Sequence, residues 1–346
     1  MSLIRIIRAG LCSTIQDEGR IRFRHLGVPC SGAMDLLSHQ LANRLVGNSS
    51  DCATIEMTLT GDELEFEVDT MIAITGADMQ LVLKCSDGSQ SVARQSPVII
   101  AAGSCIRFQA ARRGCRCYMA IAGGVNVPVV MGSRSTLLRA KFGGHSGRAL
   151  TAGDELRIGV AADTSFQVRA RLSEAFAFTE SMLTIQPRWF VRPVDLPDPD
   201  VAVLRMITGA HTSLLNKTGR EQLFNAEFRI SSQSDRMGYR LINQQLSLET
   251  HEEMLSEGVV PGTLQLPPDG SPILLMADCA PTGGYPRIGH VISADLGIAA
   301  QLRPGQCVKF AMVKLAESQE IFRQQQLIFK RAMQMAEVQS SSTLFA

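Results

Sequence analysis

Short alternating runs of charged and apolar residues, separated by glycine and proline, constrain the fold of this chain most strongly. Residues 63–68 (Glu-Leu-Glu-Phe-Glu-Val) alternate strictly, and residues 79–84 do so nearly as regularly. A period of two places one face of a β-strand in a core and the other towards solvent. Apolar runs at 71–75 and 97–101 have the length of buried strands. The pattern predicts a mainly β fold with some α-helix.

Three segments of the chain echo one another. Residues 102–108, 152–158 and 304–310 each carry glycine second and end in an apolar, a basic and an apolar residue. Such a segment is typical of a glycine turn that leads into a strand. The last two copies close stretches that begin with double glycines, at 123–124 and 283–284. The echo predicts two β-rich halves related by an internal pseudo-repeat.

Prolines and aspartates mark a boundary between these halves. A segment that cannot continue a sheet contains prolines and aspartates at 187, 193, 195, 197, 198 and 199. We therefore predict an N-terminal domain over 1–195 and a C-terminal domain over 196–316. We also predict a helix and tail over 317–346, because 317–337 mix apolar residues with Gln, Arg and Lys as an amphipathic helix does.

The charge balance excludes some classes of partner. Lys and Arg total 34 against 33 for Asp and Glu, a formal net charge of +1. Neither the positive field that attracts nucleic acid nor a basic block for a membrane surface is present in this sequence. No apolar run reaches the length of a transmembrane helix, and residues 1–8 have the pattern of a strand and not of a signal peptide. The sequence predicts a cytoplasmic protein without nucleic-acid or membrane partners.

Cysteine and histidine give no sign of a metal site. The chain has nine cysteines, an odd number that argues against a disulfide framework. Cys115 and Cys117 are the one close pair, and two thiols without further ligands nearby make an incomplete set for zinc. The six histidines lack ligand spacing. We predict small buried thiols and no metal.

The segment from Gln16 to Asp35 is the strongest candidate for chemistry. It is polar, punctuated by Gly and Pro, and has no hydrophobic period over most of its length. Such a segment is a loop, and loops on a rigid scaffold carry binding and catalytic residues. Helical spacing from Leu36, stopped at Gly47-Asn48, puts Asp35 at or next to a helix N-terminus. A capping role and a direct role in substrate binding are both open for Asp35.

Further polar loops lie in the second half, at 231–241, 256–270 and 278–289. Pro268-Asp269-Gly270 is a turn sequence, and residues 283–286 predict a tight bend. These loops also carry many groups able to bind a small anion or amide. A Gly-rich stretch at 143–148 fits either a phosphate cradle or a simple connection, and the connection is favoured. No Walker-type loop is present in the sequence.

Four motifs together resemble the biotin-dependent carboxyltransferase family: residues 16–48, 75–78, 232–241 and 256–295. The family includes the C subunit of prokaryotic ATP-dependent 5-oxoprolinase, the Kip-inhibitor antagonist, and the carboxyltransferase region of urea amidolyase, and is also described as allophanate hydrolase subunit 2-like. The resemblance covers residues 3 to about 315, in order. It implies two cyclophilin-like β-barrel subdomains.

The resemblance also implies an activity. A freestanding member is expected to be the C subunit of a complex that opens 5-oxoproline to glutamate with ATP and Mg²⁺, which the subunits share, and to be inactive without its partners. These partners are a B-type (Kip-inhibitor-like) protein and an A-type protein. The Ala-Met-Lys-Met motif is absent from the sequence, so no biotin is expected on this chain. The alternatives are a carboxyltransferase that uses carboxybiotin from another protein and a urea-like amide, and a regulatory binder of a kinase inhibitor.

Residue chemistry within these motifs predicts the site. Arginines would bind anions, aspartates would handle protons or recognise the amide, and hydroxyls would add hydrogen bonds. The predicted catalytic residues are Arg20, Asp35, Asp235, Arg236 and Asp269. The predicted substrate-binding residues are Ser31, Ser234, Tyr239, Arg240 and Tyr285. Cys30 and the Cys279-Ala280-Pro281 run depart from the family pattern, which leaves the substrate open.

Overall fold

The computed structural model describes residues 2–85, 88–175, 184–187, 189–191, 196–198, 200–249 and 254–341. Within them the chain forms two compact units. The first contains described residues of 1–19, 36–195 and 328–346, and the second contains those of 20–35 and 196–327. The second unit begins at the predicted boundary but also includes 20–35, which the sequence pattern places in the N-terminal domain. Pro193, Asp195 and Pro199 of the predicted linker lie outside the described residues, and the domain limits at 195 and 316 stay predictions.

The first unit is built on antiparallel strands. Two six-stranded sheets form among the described residues, in the orders β11-β1-β4-β9-β6-β7 and β12-β8-β5-β10-β3-β2. The strands are β1 Leu3–Arg8, β2 Cys12–Gln16, β3 Thr54–Thr58, β4 Glu63–Phe66, β5 Thr70–Asp78, β6 Leu81–Cys85, β7 Gly88–Ser91, β8 Pro97–Ile100, β9 Cys105–Phe108, β10 Arg113–Ile121, β11 Glu155–Arg157 and β12 Thr184–Ile185. Helices α1 (Leu36–Leu45) and α2 (Asp163–Ala175) complete it, with a 3₁₀ turn at Leu138–Ala140.

Alternation along these strands builds the core of the first unit. On β3, Ile55 and Met57 enter the apolar cluster, while Glu56 between them lies on the opposite face. The same cluster receives Leu64 and Phe66 from β4, the strand that alternates most strictly in the sequence. The two faces of a strand can lie in different surroundings, one apolar and one polar. On β3 both faces are buried.

The second unit is a closed barrel. Its strands follow the order β13-β20-β17-β18-β15-β14-β21, and the parallel pair β13–β21 closes the circle. The strands are β13 Val201–Thr208, β14 Phe228–Ile230, β15 Gly238–Ile242, β16 Glu257–Gly258, β17 Thr263–Gln265, β18 Ile273–Leu275, β19 Thr282–Gly283, β20 Arg287–Val291 and β21 Cys307–Met312, with β16 and β19 forming a separate two-stranded ribbon. Closure removes the unpaired edges that an open sheet would expose.

Helices and an aromatic pair complete the second unit. The helices are α3 (Lys217–Asn225), α4 (Leu296–Ala300) and the part of α5 (Leu315–Ser341) up to residue 327, and 3₁₀ turns lie at Ile21–Leu26, Thr212–Leu214 and Ser293–Asp295. The rings of Phe228 and Phe310 pack 5.7 Å apart in the barrel core. In the described part of the chain, no helix has both the length and the apolarity that crossing a bilayer requires.

Most predictions of local structure are confirmed. The fold is mainly β, and α1 begins at Leu36 and is followed by Gly47 in the left-handed region, with φ of 71°. The predicted C-terminal helix over 317–337 lies within α5. The three sequence echoes share one local structure, because Gly103, Gly153 and Gly305 all have positive φ and lead into β9, β11 and β21.

Candidate functional site

The segment 20–35 lies on the barrel of the second unit and is tied to it by its backbone. Ser31 donates its N–H to the carbonyl of Ala277 at 3.1 Å, and within the segment Arg20 donates its N–H to the carbonyl of Cys30 at 2.8 Å. Met34 packs into the barrel core. The sequence predicts a loop here, and the structure shows a loop that contains the 3₁₀ turn Ile21–Leu26 and is held on the barrel by these contacts.

Arg236 and Asp278 form the buried ion pair at the centre of this region. Arg236 Nε donates to Asp278 Oδ2 and Arg236 Nη2 to Asp278 Oδ1, both at 3.0 Å. The residues are only 7% and 5% exposed. A planar guanidinium that meets both carboxylate oxygens is a strong, directional contact. The pair therefore fixes the loop before β15 against the loop after β18.

Two residues of the 20–35 segment join this pair. Ser31 Oγ donates to Asp278 Oδ1 at 2.8 Å, and Arg236 Nη2 also donates to the carbonyl of Gly32. Ser31 itself has φ of 58°, in the left-handed region that non-glycine residues rarely adopt. Such backbone strain persists where surrounding contacts hold it. We call Ser31, Gly32, Arg236 and Asp278 the arginine cluster.

Asp35 has a buried partner of its own. Gln301 Nε2 donates to Asp35 Oδ2 at 2.8 Å, and both side chains are buried. Gly297 of α4 lies so close that a Cβ there would be 3.1 Å from Asp35 Oδ1. Asp35 directly precedes α1, as predicted, and its carboxylate is held on the barrel by Gln301.

Two predicted aspartates stabilise turns. Asp235 is exposed, and its Oδ1 accepts from the N–H groups of Met237 at 2.8 Å and Gly238 at 3.3 Å. Asp269 is exposed as well, and its Oδ1 accepts from the N–H of Ser271 at 3.0 Å. An Asx turn of this kind is the ordinary use of aspartate before a reversal. Their catalytic roles stay predictions.

The remaining predicted residues are spread over the second unit. Tyr239 and Arg240 are neighbours on β15, so Tyr239 points into the barrel core and Arg240 to solvent. Ser234 Oγ accepts from the N–H of Arg240 at 3.2 Å, and Tyr285 is 45% exposed. Arg20 is buried. The structure brings Ser31 and Arg236 together and leaves Tyr239 and Arg240 on opposite faces.

Three residues that make contacts in this region were not predicted from the sequence. Asp278 lies within one of the polar loops but is absent from the predicted site, and Gln301 lies in no motif. Arg24 donates to the carbonyls of Val259 and Pro281, at the base of the β16–β19 ribbon. The position of Asp278 shortly after a buried strand was a usable signal for it, whereas the contacts of Gln301 and Arg24 depend on distant parts of the chain.

A second buried polar region lies in the first unit, around Asp17. Its Oδ1 accepts from Ser133 Oγ at 2.6 Å, from Ser135 Oγ and from the N–H of Gly19, and its Oδ2 accepts from the N–H of Arg134. Burial alone raises the pKa of Asp17, but these hydrogen bonds outweigh it and bring the pKa below its usual value. Asp17 thus joins the end of β2 to residues 133–135 as an ionised carboxylate.

One face of the sheet in the first unit is polar although it is buried. Thr14, Glu56, Tyr118 and Thr75 stand opposite one another on β2, β3, β10 and β5. Tyr118 donates its hydroxyl to Glu56 Oε2 at 2.8 Å. Helix α1 covers this face. The polar residues at every second position of β3 were the signal for it in the sequence.

Contacts from α1 complete this buried polar face. His39 Nδ1 lies 2.9 Å from Thr54 Oγ1, and Thr75 Oγ1 donates to the carbonyl of Ser38 at 2.7 Å. Burial lowers the pKa of His39, which favours its neutral form. A neutral imidazole satisfies one donor and one acceptor here, so the face is held by hydrogen bonds and needs no ion pair to His39.

Direct binding of ATP and Mg²⁺ would call for metal-binding side chains and for free backbone N–H donors around the phosphates. Within the described ranges, no group of three or more His, Cys, Asp or Glu is arranged to hold a metal ion. In the Gly-rich stretch 143–148, the N–H groups of Gly144, Gly147 and Arg148 already donate to backbone carbonyls. Arg148 pairs with both oxygens of Asp154, which lowers the pKa of Asp154. Since these three N–H donors are already used within the fold, the stretch fits a connection better than a phosphate cradle.

Comparison with known proteins identifies the family. Residues 26–312 match the model of the carboxyltransferase domain, subdomain A and B. The chain belongs to this family. It is 36% identical over 329 residues to the 5-oxoprolinase C subunit of Escherichia coli (strain K12), covering 95% of this chain and 97% of that protein. The 5-oxoprolinase C subunit of Haemophilus influenzae is 34% identical, with 94% of this chain and 96% of that protein covered.

A solved structure confirms the fold. The urea amidolyase of K. lactis superimposes with a TM-score of 0.81 at 25% identity, over 95% of this chain. The chain spans 20% of the length of that protein, so the similarity concerns one region of it. The family and the mainly β architecture predicted from the sequence are thereby confirmed.

Proposed function

We propose that this chain is the C subunit of an ATP-dependent 5-oxoprolinase complex, which converts 5-oxoproline to glutamate in the cytoplasm. The observation that carries the proposal is the likeness to the Escherichia coli C subunit, which extends over 97% of that protein. A likeness over nearly the full length of both chains favours a shared role more than a likeness to one region of a larger enzyme does.

The chemistry of the lactam defines what the complex must supply. Its amide is stabilised by resonance, so opening near neutral pH needs an activated carbonyl or strong stabilisation of an oxyanion. In the proposed reaction, ATP with Mg²⁺ phosphorylates the amide oxygen and ADP leaves. Water then attacks the carbonyl carbon and the C–N bond breaks, so that the ring nitrogen takes up a proton and becomes the amino group of the product. A second water hydrolyses the resulting acyl phosphate to glutamate and phosphate. The contacts to ATP and Mg²⁺ lie mainly on A-type and B-type partners, without which this chain is inactive, and no biotin is attached to it.

The second unit would contribute positioned polar groups. Asp35 is the proposed group for proton handling or amide recognition, because its buried carboxylate is held in one orientation by Gln301. Arg236 and Asp278 act as positioning residues, since they hold Ser31 and the carbonyl of Gly32 a few residues before Asp35. Preorganised groups of this kind lower a barrier without rearranging during the reaction.

The test is reconstitution with the candidate partner subunits. Glutamate release from 5-oxoproline, ATP and Mg²⁺ is expected only when this chain is present. Asp35→Asn and Arg236→Lys should each lower turnover at least tenfold, whereas Arg229→Lys, a matched change on an exposed arginine of β14, should leave it within twofold. Equal turnover without this chain would overturn the proposal.

Carboxyl transfer is the second candidate function. It is supported by membership of the carboxyltransferase domain family and by the TM-score of 0.81 with K. lactis urea amidolyase. The same purified complex would be supplied with a carboxylated biotin carrier and urea. Decarboxylation of the carrier that depends on urea and on this chain would favour this function over lactam hydrolysis.

A further inference from the structure

A short ribbon covers two polar side chains on the outside of the barrel. Gln265 on β17 and Arg287 on β20 are direct cross-strand partners. Their neighbours Leu264, Leu266 and Ile288 all point into the barrel core. Because successive side chains of a strand alternate, Gln265 and Arg287 project outwards on the same face.

The ribbon of β16 and β19 buries this outward face. Glu257 pairs with Gly283 across the ribbon, and Arg287 donates to the carboxylate of Glu257 and to the carbonyl of Gly258 at 3.4 Å. A Cβ on Gly283 would lie 2.5 Å from Gln265 Nε2. The ribbon therefore packs directly on the amide of Gln265, which lies at the end of a flexible side chain and would have to shift to admit a larger residue at position 283.

Two N–H donors beneath the ribbon lack acceptors. Gln265 is 5% exposed, and in the described structure its Nε2 has no hydrogen-bond partner. The Nε of Arg287 is also buried without a partner among the described residues. A buried unpaired donor lowers stability, and native structures contain few of them. Two such donors on adjacent side chains require an explanation.

A carboxylate has the chemistry to satisfy both donors. It is an acceptor with two oxygens, and Arg287 supplies a permanent positive charge beside the neutral amide. Arg287 already forms an ion pair with the carboxylate of Glu257, so this guanidinium is able to pair with a carboxylate. Glu257 occupies Nη2 and leaves Nε open.

We propose that Gln265 and Arg287, under the β16–β19 ribbon, bind the carboxylate of a small ligand. If the proposed function holds, on which this identification rests, the ligand is 5-oxoproline or its product glutamate. The ligand carboxylate accepts hydrogen bonds from Gln265 Nε2 and Arg287 Nε. Glu257 remains paired with Arg287 Nη2, and its negative charge limits the affinity for the ligand by repulsion. The Arg24 contacts to Val259 and Pro281 hold the base of the ribbon next to the 20–35 segment.

Calorimetric titration of the full chain tests the site with three probes: 5-oxoproline, L-glutamate, and 2-pyrrolidinone, the lactam without a carboxylate. At least one of the two acids should bind, and which of them binds identifies the source of the carboxylate. Binding of 2-pyrrolidinone as tight as that of 5-oxoproline would overturn the proposal. Failure of both acids to bind would also overturn it.

Substitutions provide the structural controls. Gln265→Met should weaken acid binding about tenfold or more, because the hydrogen bond is to a charged group, while its thermal midpoint stays equal or rises since an unpaired donor is removed. Arg287→Lys keeps the charge but lacks Nε and should weaken binding similarly. Glu257→Gln should tighten binding. Gln245→Met, on an exposed glutamine of the same unit, should change neither quantity.

The outcomes separate the site from the proposed function. If the reconstituted complex releases glutamate but Gln265→Met leaves the KM for 5-oxoproline unchanged, the carboxylate site is wrong and the function stands. If the complex is inactive while binding of an acid depends on Gln265, the site stands and the function is wrong. Lower stability of Gln265→Met with unchanged affinity would show a purely structural glutamine.

Discussion

In the second unit, individual buried charges determine which chain segments are held together. Asp278 accepts from Arg236 and Ser31 at once, and Arg236 also donates to Gly32, so one carboxylate fixes three chain segments. Both charges are removed from water, so the intact pair contributes only modestly to stability. Removing one partner leaves the other as a buried charge without a countercharge, which lowers the free energy of unfolding strongly. We therefore expect substitutions in this pair to destabilise the protein.

Asp278→Asn should lower the free energy of unfolding by about 3 kcal/mol, because Arg236 would be left as a buried charge without a countercharge. Ser31→Ala, which removes one hydrogen bond, should cost about 1 kcal/mol. Urea unfolding followed by circular dichroism measures both. Asp235→Asn, on an exposed aspartate of the neighbouring turn, serves as the control, and a loss for Asp278→Asn no larger than for this control would contradict the prediction.

Asp17 should make the stability of the protein depend on pH in the acid range. Its pKa is lowered in the folded state from a reference value of 3.8, so its contribution is present above that value and is lost as pH falls through the folded pKa. Thermal midpoints measured from about pH 6 down to about pH 3 should fall for the wild type. The Asp17→Asn variant should start lower and fall less, and parallel curves for the two proteins would rule out this role.

A glycine turn that leads into a strand occurs in both units with the same backbone conformation. The glycines of the three echoes, Gly103, Gly153 and Gly305, have φ of 76°, 91° and 87°, and open space surrounds each position where a Cβ would stand. Glycine is needed there for its backbone conformation and not for want of room. The repeat of sequence therefore reflects a repeat of turn geometry.

Alanine at each of these three glycines should lower stability by a similar amount, about 1 kcal/mol, because L-residues resist positive φ. Gly258→Ala is the matched control: it has equal space but no left-handed φ, so its effect should be neutral or slightly stabilising. Differential scanning fluorimetry of the four variants measures the effect. Unequal losses at the three echo positions would show that tertiary contacts, and not turn geometry, fix them.

At the scale of the whole molecule, stability rests on packing and hydrogen bonds in two units, each with its own apolar cluster. The eight cysteines whose side chains are described are all free thiols. Burial raises the pKa of Cys117 to about 12 and that of Cys279 to about 11, so thiolate is scarce at both near neutral pH. We therefore expect the stability of both units to be independent of the redox state of their surroundings.

A reductant should accordingly leave the thermal midpoint unchanged within about 1 °C, since no covalent cross-link joins the described cysteines. Thiol titration in denaturant should count nine groups, the number of cysteines in the sequence. In the native protein, Cys117 and Cys279 should react far more slowly than they do after unfolding. A count two lower in denaturant without reductant would reveal a disulfide and contradict the prediction.

Local patterns allowed much of the fold to be predicted. Alternation on residues 63–68 predicted β4, helical spacing from Leu36 predicted α1, and the mixed composition of 317–337 predicted α5. These features depend on residues a few positions apart, and their energetics are set by period and turn chemistry. The polar segment 16–35 was likewise recognisable as a loop able to carry chemistry.

By itself, the sequence determined the elements, the family and the residue types available for chemistry. Only the tertiary structure decided which of them come into contact. Asp35 accepts a hydrogen bond from Gln301, which lies 266 positions away in the chain. Gln265 faces Arg287 because two strands of a closed barrel align them. The tertiary structure also assigned 20–35 to the second unit and made Asp235 and Asp269 turn residues. The reason is that burial and pairing are properties of the folded arrangement, in which residues distant in the chain share one desolvated space.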